Sequence, residues 1–547
     1  MRRTCSTTCG IVGLCLFLAP AICADPPANS DKTKDAMALA KKIDEHVAAA
    51  WKAQDATPAP LADDAEFFRR VHLDIAGKIP PVMEVREFLA DKRPDKRQRI
   101  IDKLLDGELK ENGTRAGPNG YISHFSNVWR REWLPQTLNN PQFQFYGPQF
   151  EMWLRQKLQS NTPYDQMVRA LLTAPLNPPA NGPFDPYSFA ASSFLYVNEM
   201  KPENLGAAAS RLFLGIKIEC AQCHNHPLDK WKREQFWEFA SFFAGFQPIN
   251  QFQRRAPAEL IEIRSLTIPD LNKKVSARFL DGAEPKFKDK VSARVTLVDW
   301  MTAKENPYFA RNAVNRMWAI FFGAGIIDPI DEPGDQNPPS HPELLDELTK
   351  AFVNSGYDLK FLIKAIVNSQ AYQRSSAAPG ASASTERTFA RMKVRGLTPE
   401  QLFDSLLQAT YARERPEDNQ RQFAQPRAEF VAKFSSTERP AELQTSILQA
   451  LTMMNGRFIS DRTSTDEKKT PDDQSNLLLG LAGAPFLTTS GRIEALYLAT
   501  VGRFPRPEEM KKLTEYVDKG GPSGNKDKAL ADVFWALLNS SEFGFNH

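Results

Sequence analysis

Cysteine is nearly missing from the working part of this chain. The 547 residues hold six, and Cys5, Cys9, Cys15 and Cys23 all lie at the extreme N-terminus. Only Cys220 and Cys223 remain beyond it, so no long-range disulfide framework is available. An excess of one charge is missing too. Lys and Arg number 69 against 66 Asp and Glu, a formal +3, and Arg2 and Arg3 account for two of those charges. That balance excludes a polybasic nucleic-acid or anionic-lipid binder. No run of about 20 apolar residues follows the N-terminus, so no later span of a bilayer is expected. GxSxG, P-loop and HExxH patterns are all absent. With 42% apolar and 25% charged residues the composition is that of a globular protein. Proline, at 40 residues, predicts many ordered loops and short helices.

Residues 1–24 have the layout of a secretory signal peptide. Arg2 and Arg3 form the basic start, GIVGLCLFLAP (10–20) is a short apolar stretch, and Ala24 precedes a polar, Pro-rich segment at Asp25. The expectation is an exported protein of the periplasm, cell envelope or exterior, cleaved near Asp25, with no span remaining.

The two remaining cysteines belong to Cys220-Ala221-Gln222-Cys223-His224, a CxxCH motif. One turn of chain brings both thiols to one edge of a porphyrin, where they form thioethers. The next residue then offers its imidazole to the iron. This reading makes Cys220 and Cys223 the attachment points of haem c and His224 the proximal ligand. Three others stay open. Zinc or copper could take Cys220, Cys223, His224 and His226, although adjacent Cys223 and His224 fit awkwardly in one tetrahedron. The pair could also form a redox disulfide or a plain structural one, with no cofactor. His226 cannot be the second axial ligand of a haem held by His224. His72, His124, His341 and the methionines are the candidates for the distal side. Asp229 either orients a histidine ring or caps the helix that starts at Trp231. Trp231, Phe236, Trp237, Phe239, Phe242, Phe243 and Phe246 form an aromatic stripe, read as core or as a cofactor wall.

Periodicity predicts helices over Lys34–Ala53, through 63–110 with a break at Gly77 and Pro80, over 140–175, and from Asn204 to Ile218. It predicts another over Trp231–Phe246. IEIRSLTIP, VSARFLDG and KVSARVTLV alternate apolar and polar residues, the period of strands, so 247–297 reads as a small β-rich segment. Helices return from Tyr308, and 375–385 reads as a flexible linker. VHLDIAGKIPPVMEV (71–85) matches LYLATVGRFPRPEEM (496–510), which aligns Gly77 with Gly502 and Glu84 with Glu509. In the second half, Asn306, Arg311, Asn315, Arg316 and Trp318 precede a loop carrying Asp328, Asp331, Asp335, Ser340 and His341. That loop invites a hydrolase reading, but Ser340, Pro342 and Glu343 also suit the start of a helix.

On FFRRVHLDIAGKIPPVMEVREFL, SRLFLG and CAQCHNHPLDKW the chain resembles the planctomycete cytochrome-C-like domain, from about Phe67 to Phe246. On NPYFARNAVNRMWAIFFGAGIIDPIDE, NPPSHPELLDELTKAFVNSGYDLKFLIKAIVNSQAYQRSS, LQALTMMNG and ALLNSSEF it resembles the planctomycete-specific companion domain, from about Val298 to the end. Together these cover about four-fifths of the chain. The resemblance implies cytochrome-like chemistry at Cys220, Cys223 and His224, with His226 and Asp229 as the usual continuation. The expected architecture is mainly α, two helical domains joined by a small β-containing segment. The divisions are 1–24 leader, 25–62 linker and helix, 63–246 cytochrome-C-like domain, 247–297 β-rich linker and 298–547 companion domain. Two function classes follow. One is an exported haem protein in electron transfer with a redox partner protein. The other is a non-redox envelope scaffold or polymer-degrading enzyme in which CxxCH is a metal site or disulfide.

Overall fold

The computed structural model describes residues 29–109, 115–116, 120–176, 190–227, 229–246, 258–332, 334, 337–377, 387–410, 424–434, 453–454, 456–466 and 476–547. The leader 1–24, most of the 375–385 linker and Asp335 lie outside them. The described chain is mainly helical. The strands form three antiparallel two-stranded pairs.

The helix Asn29–Ala53 buries Ala36, Leu39, Ala40, Ile43, Val47 and Trp51, a stripe at three- and four-residue spacing that makes one apolar face. That face packs mainly against the helix Leu359–Asn368, more than three hundred residues away in sequence. Leu362, Ile363, Ile366 and Val367 of that helix are buried. Asp358 starts this second helix: its carboxylate accepts from the Lys360 and Phe361 N–H groups at 3.0 and 3.2 Å.

One large apolar core runs from Ala36 to Met392, with Leu498 added from farther along the chain, and takes in aromatic residues of both halves. Trp129, Trp133 and Tyr164 meet Phe309 and Phe352 there, with ring centroids 5.1–6.3 Å apart. The helix Phe309–Phe322 lies inside this core. The core therefore crosses the 247–297 segment from which the sequence reading divides the chain. A second core gathers Leu397 to Phe543, with Leu73 and Ile79 reaching in from the first half.

Buried ions tie the two cores together. Glu400 takes hydrogen bonds from Arg130 at 3.1 Å and Arg131 at 2.9 Å. Asp74 accepts from Arg395 at 2.9 Å, the Tyr372 hydroxyl at 2.8 Å and Asn546 at 2.7 Å. Each carboxylate is almost fully buried and fully engaged, as buried charge requires.

The repeat is a repeated corner. Helices Asp64–Ala76 and Val82–Ala90 meet at Gly77, and Thr489–Thr500 and Pro507–Asp518 meet at Gly502. Both glycines have φ of +72°. The corners touch: Arg69 donates to the Thr500 carbonyl at 2.9 Å, and Arg86 pairs with Glu494 at 2.9 Å.

The β-rich reading of 247–297 holds for Ser265–Ile268, which pairs with Lys273–Ser276. It fails for KVSARVTLV. Ala293–Met301 is a helix whose N-cap Ser292 accepts from the Arg294 N–H at 3.2 Å. Its buried residues Ala293, Leu297, Val298 and Met301 recur at helical spacing, and a short apolar run satisfies both periods. Strands also occur outside that segment, where Arg395–Gly396 pairs with Phe545–Asn546. The helix expected over Asn204–Ile218 stops earlier, at Ala209, and gives way to a wider π-type turn over Ser210–Leu214.

Candidate functional site

The approach to the cysteine motif is fixed by Gly215. It ends the π-type turn at φ +70°, and a Cβ there would stand 2.6 Å from Asn312 Oδ1. Only glycine meets both conditions without strain. Ile216 and Ile218 then bury themselves, and Glu219–Gln222 forms one tight 3₁₀ turn. Ala221 is buried, which turns Cys220 and Cys223 outward on either side of it. Both thiols are exposed and unpaired.

His224 is also exposed, and its Nδ1 lies 2.7 Å from the Asn225 carbonyl oxygen. A carbonyl can only accept, so Nδ1 carries the proton and Nε2 of the neutral ring keeps its lone pair. The His226 N–H donates to the Trp231 carbonyl at 2.8 Å and closes the loop.

Four contacts that no sequence pattern announces hold this turn. The Gln222 carbonyl accepts from Trp237 Nε1 at 3.1 Å and from Arg233 Nε at 3.3 Å. Arg233 also donates to the Pro269 carbonyl at 2.8 Å. The Asn225 side chain accepts from the Arg233 N–H at 3.0 Å. The helix behind the motif begins at Arg233, later than read, and Gln235 caps it by accepting from the Lys232 N–H at 2.9 Å. Asp229 is therefore not its cap. Asp229 is exposed and accepts from the Lys230 N–H at 2.7 Å. Trp231, Phe236, Trp237, Phe239, Phe242, Phe243 and Phe246 are all buried, so the aromatic stripe is core.

The loop after Phe309–Phe322 comes to the same place. Lys217 pairs with Glu332 at 3.1 Å, and Gly334 lies beside Asp229. Lys217 also stands within the field of Cys220, and the Glu332 hydrogen bond raises its ammonium above the usual range. Arg316 joins the halves by pairing with Asp331 and Glu132 and donating to the Arg211 carbonyl at 2.9 Å. Arg211 in turn pairs with Glu219 at 3.1 Å. Burial raises the Glu219 carboxyl, and Asp331 adds to the effect. Asp331 and Arg316 thus stand in the network that carries the motif.

The remaining candidates do other work. Asn306 accepts from the Tyr308 and Phe309 N–H groups, each at 3.0 Å, and starts their helix. Asn315 exchanges two hydrogen bonds with the Ile327 backbone, at 2.8 and 2.9 Å. Arg311 pairs with Asp346, and Trp318 is core. Ser340 is not the N-cap. It donates to the Ile326 carbonyl at 3.2 Å, and His341 Nδ1 lies 3.0 Å from its hydroxyl. Among the described residues the buried Nε2 of His341 has no hydrogen-bond partner, so none of their carboxylates completes a triad.

His72 is buried, with Nδ1 donating to the Phe68 carbonyl at 2.8 Å and Nε2 3.7 Å from Glu84. His124 is buried against Gly77. Among the described residues no three of His, Cys, Asp and Glu gather as a metal-ion site. The set of Cys220, Cys223, His224 and His226 is therefore not drawn together for zinc.

A covalent porphyrin asks for something different: two accessible thiols one turn apart and an imidazole whose Nε2 is available. Cys220, Cys223 and His224 meet those conditions. No helix among the described residues is long and apolar enough to cross a membrane. A family model described as PSCyt2, protein of unknown function (DUF1549), matches residues 42–248. A second, PSD1, protein of unknown function (DUF1553), matches residues 293–440. No curated protein and no solved structure matches the chain. With the two models in this order, one ending past the CxxCH turn and the other covering the loop that packs beside it, the chain carries the planctomycete cytochrome-C-like domain followed by its companion domain of unknown function.

Proposed function

We propose that this is an exported c-type haem protein that transfers electrons to or from a redox partner. The observation that carries the reading is the state of the CxxCH turn. Both thiols are exposed and unpaired, and the Nδ1 bond to the Asn225 carbonyl leaves His224 Nε2 as the nitrogen able to bind iron. Cys220 and Cys223 would hold the group through thioethers, and His224 would be its proximal ligand. When bound, the haem supplies a one-electron couple. The chain's own residues supply position. Arg233 and Trp237 fix the Gln222 carbonyl between the thiols, and Asn225 sets the tautomer of His224. An exposed turn favours exchange with a docked protein, since transfer weakens steeply with distance.

The test is expression with haem-attachment machinery, followed by visible spectroscopy and a haem stain on a denaturing gel. The expected product carries one haem that survives acid–acetone extraction and begins near Asp25. Cys220→Ser with Cys223→Ser loses it. His224→Ala changes the ligand field, and His226→Ala changes the spectrum little. Colourless protein from such a host, or a polypeptide that retains Met1, overturns the corresponding half of the proposal.

A further inference from the structure

The helix Tyr146–Gln159 starts on a row of aromatic rings that the cysteine site does not use. Phe145 is 60% exposed. It packs on Tyr146 with 4.0 Å between ring centroids. Tyr146 lies nearly parallel to Tyr196, at 5.6 Å and 9°. Both tyrosines are half-buried, and the Tyr196 hydroxyl is anchored on the Leu176 carbonyl at 3.3 Å. The row is thus held from behind and open at Phe145.

Its surroundings are unusual for this chain. One residue in four is charged overall, yet 133–150 and 186–198 contain no Asp, Glu, Lys or Arg. Instead the first stretch carries Gln142, Gln144 and Gln149, all exposed. The charges that flank it are paired: Glu132 with Arg316 at 3.0 Å, Glu151 with Arg155 at 2.9 Å, Lys201 with Glu199 at 2.6 Å, and Arg130, behind Gly147, with Glu400 at 3.1 Å.

We infer that Phe145, Tyr146 and Tyr196 form a binding platform for a neutral polysaccharide. A pyranose ring presents a face of C–H groups, which an aromatic face covers well. Its rim of hydroxyls both donates and accepts, and so does a carboxamide. It carries no charge, and the platform offers none. A nucleic acid would also stack on the rings, but among the described residues its phosphates would find here only cations already paired with carboxylates. An anionic lipid surface would meet the same lack, and an acyl chain has no use for the glutamines.

The test uses the full chain in native gels cast with soluble neutral polysaccharides (hydroxyethyl cellulose, glucomannan and laminarin) and with anionic alginate. Retardation by at least one neutral polymer, and none by alginate, is expected. Phe145→Ala should weaken that retardation about tenfold, the loss of one aromatic stacking contact. Phe504→Ala, another exposed phenylalanine, should leave it unchanged. No retardation in any neutral gel overturns the inference, as does equal retardation of Phe145→Ala or retardation by alginate alone. Sedimentation of the same proteins covers the remaining occupant. A dimer abolished by Phe145→Ala would assign the face to a second copy and also overturn the inference.

Discussion

Gly215 shows how a single residue sets the candidate site. Its positive φ and its contact with Asn312 exclude a side chain. Gly215→Ala should therefore lower the urea midpoint by about 1–3 kcal/mol in stability, the cost of a strained backbone position. Adding Asn312→Ala should recover the steric part and leave the φ part. An unchanged midpoint in Gly215→Ala would contradict this account. At this scale the sequence was informative where chemistry is local. Cys220, Cys223 and His224 stand together in any reading because their spacing is the signal. Arg233, Trp237 and Gln222 were invisible because a side chain reaching a distant carbonyl leaves no periodic trace. The cap reading of Asp229 fails for a related reason: several nearby polar residues can begin a helix, and Gln235 takes the role.

Between elements, Glu400 has the largest expected effect. It is nearly fully buried and holds Arg130 and Arg131, so it joins the helix Gly120–Trp133 to the helix Pro399–Thr410. Burial works against its charge, but the two guanidinium groups outweigh it and lower its carboxyl below the usual range. Glu400→Ala leaves the buried Arg130 with Glu151 alone and takes from the half-buried Arg131 its partner Glu400, and should cost about 3 kcal/mol. Glu515→Ala, which breaks an exposed pair with Lys519, should leave the midpoint where it is. Equal effects of the two changes would refute the assignment. Helices were legible wherever caps and stripes agreed, as at Asp358 and along Ile43, Val47 and Trp51. The reading failed over 290–298, where Val291, Ala293, Val295 and Leu297 alternate as in a strand while Ala293, Leu297 and Val298 keep helical spacing.

Across the molecule, acid should act first through histidine. Burial pushes His124 and His341 down to about 4 from the ordinary 6.5. The unfolded chain therefore takes up these protons more readily than the folded one. The stability they contribute is complete above pH 6.5 and is lost as pH falls toward 4. The loss is about 3 kcal/mol for each ring. Glu84 behaves later. Burial opposes its charge, yet the neighbouring His72 and Lys103 hold it at about 2, so its contribution fades only below pH 4.5. Denaturation midpoints measured between pH 6.5 and 4.5 should decline, and His341→Phe should flatten the slope. A level profile over that range would rule the mechanism out. The mainly helical class was legible in the sequence, since amphipathic stripes announce burial. They do not announce a partner. The first helix and Leu359–Asn368 each read as half of an interface, and nothing in either names the other.

That last pairing has a consequence in time. Trp51 donates to the Thr388 carbonyl at 2.8 Å across a separation of 337 residues. Ala59 and Ala62 donate to the carbonyls of Ala390 and Gln373, each at 2.8 Å. The earliest of the described helices therefore waits for a late segment of the large core. At about 5–20 residues per second of synthesis, that wait is tens of seconds. Throughout it Ile43, Val47 and Trp51 have no native surface to cover them. The growing chain must be shielded over that interval, and the large core can close only after residue 390 has been made.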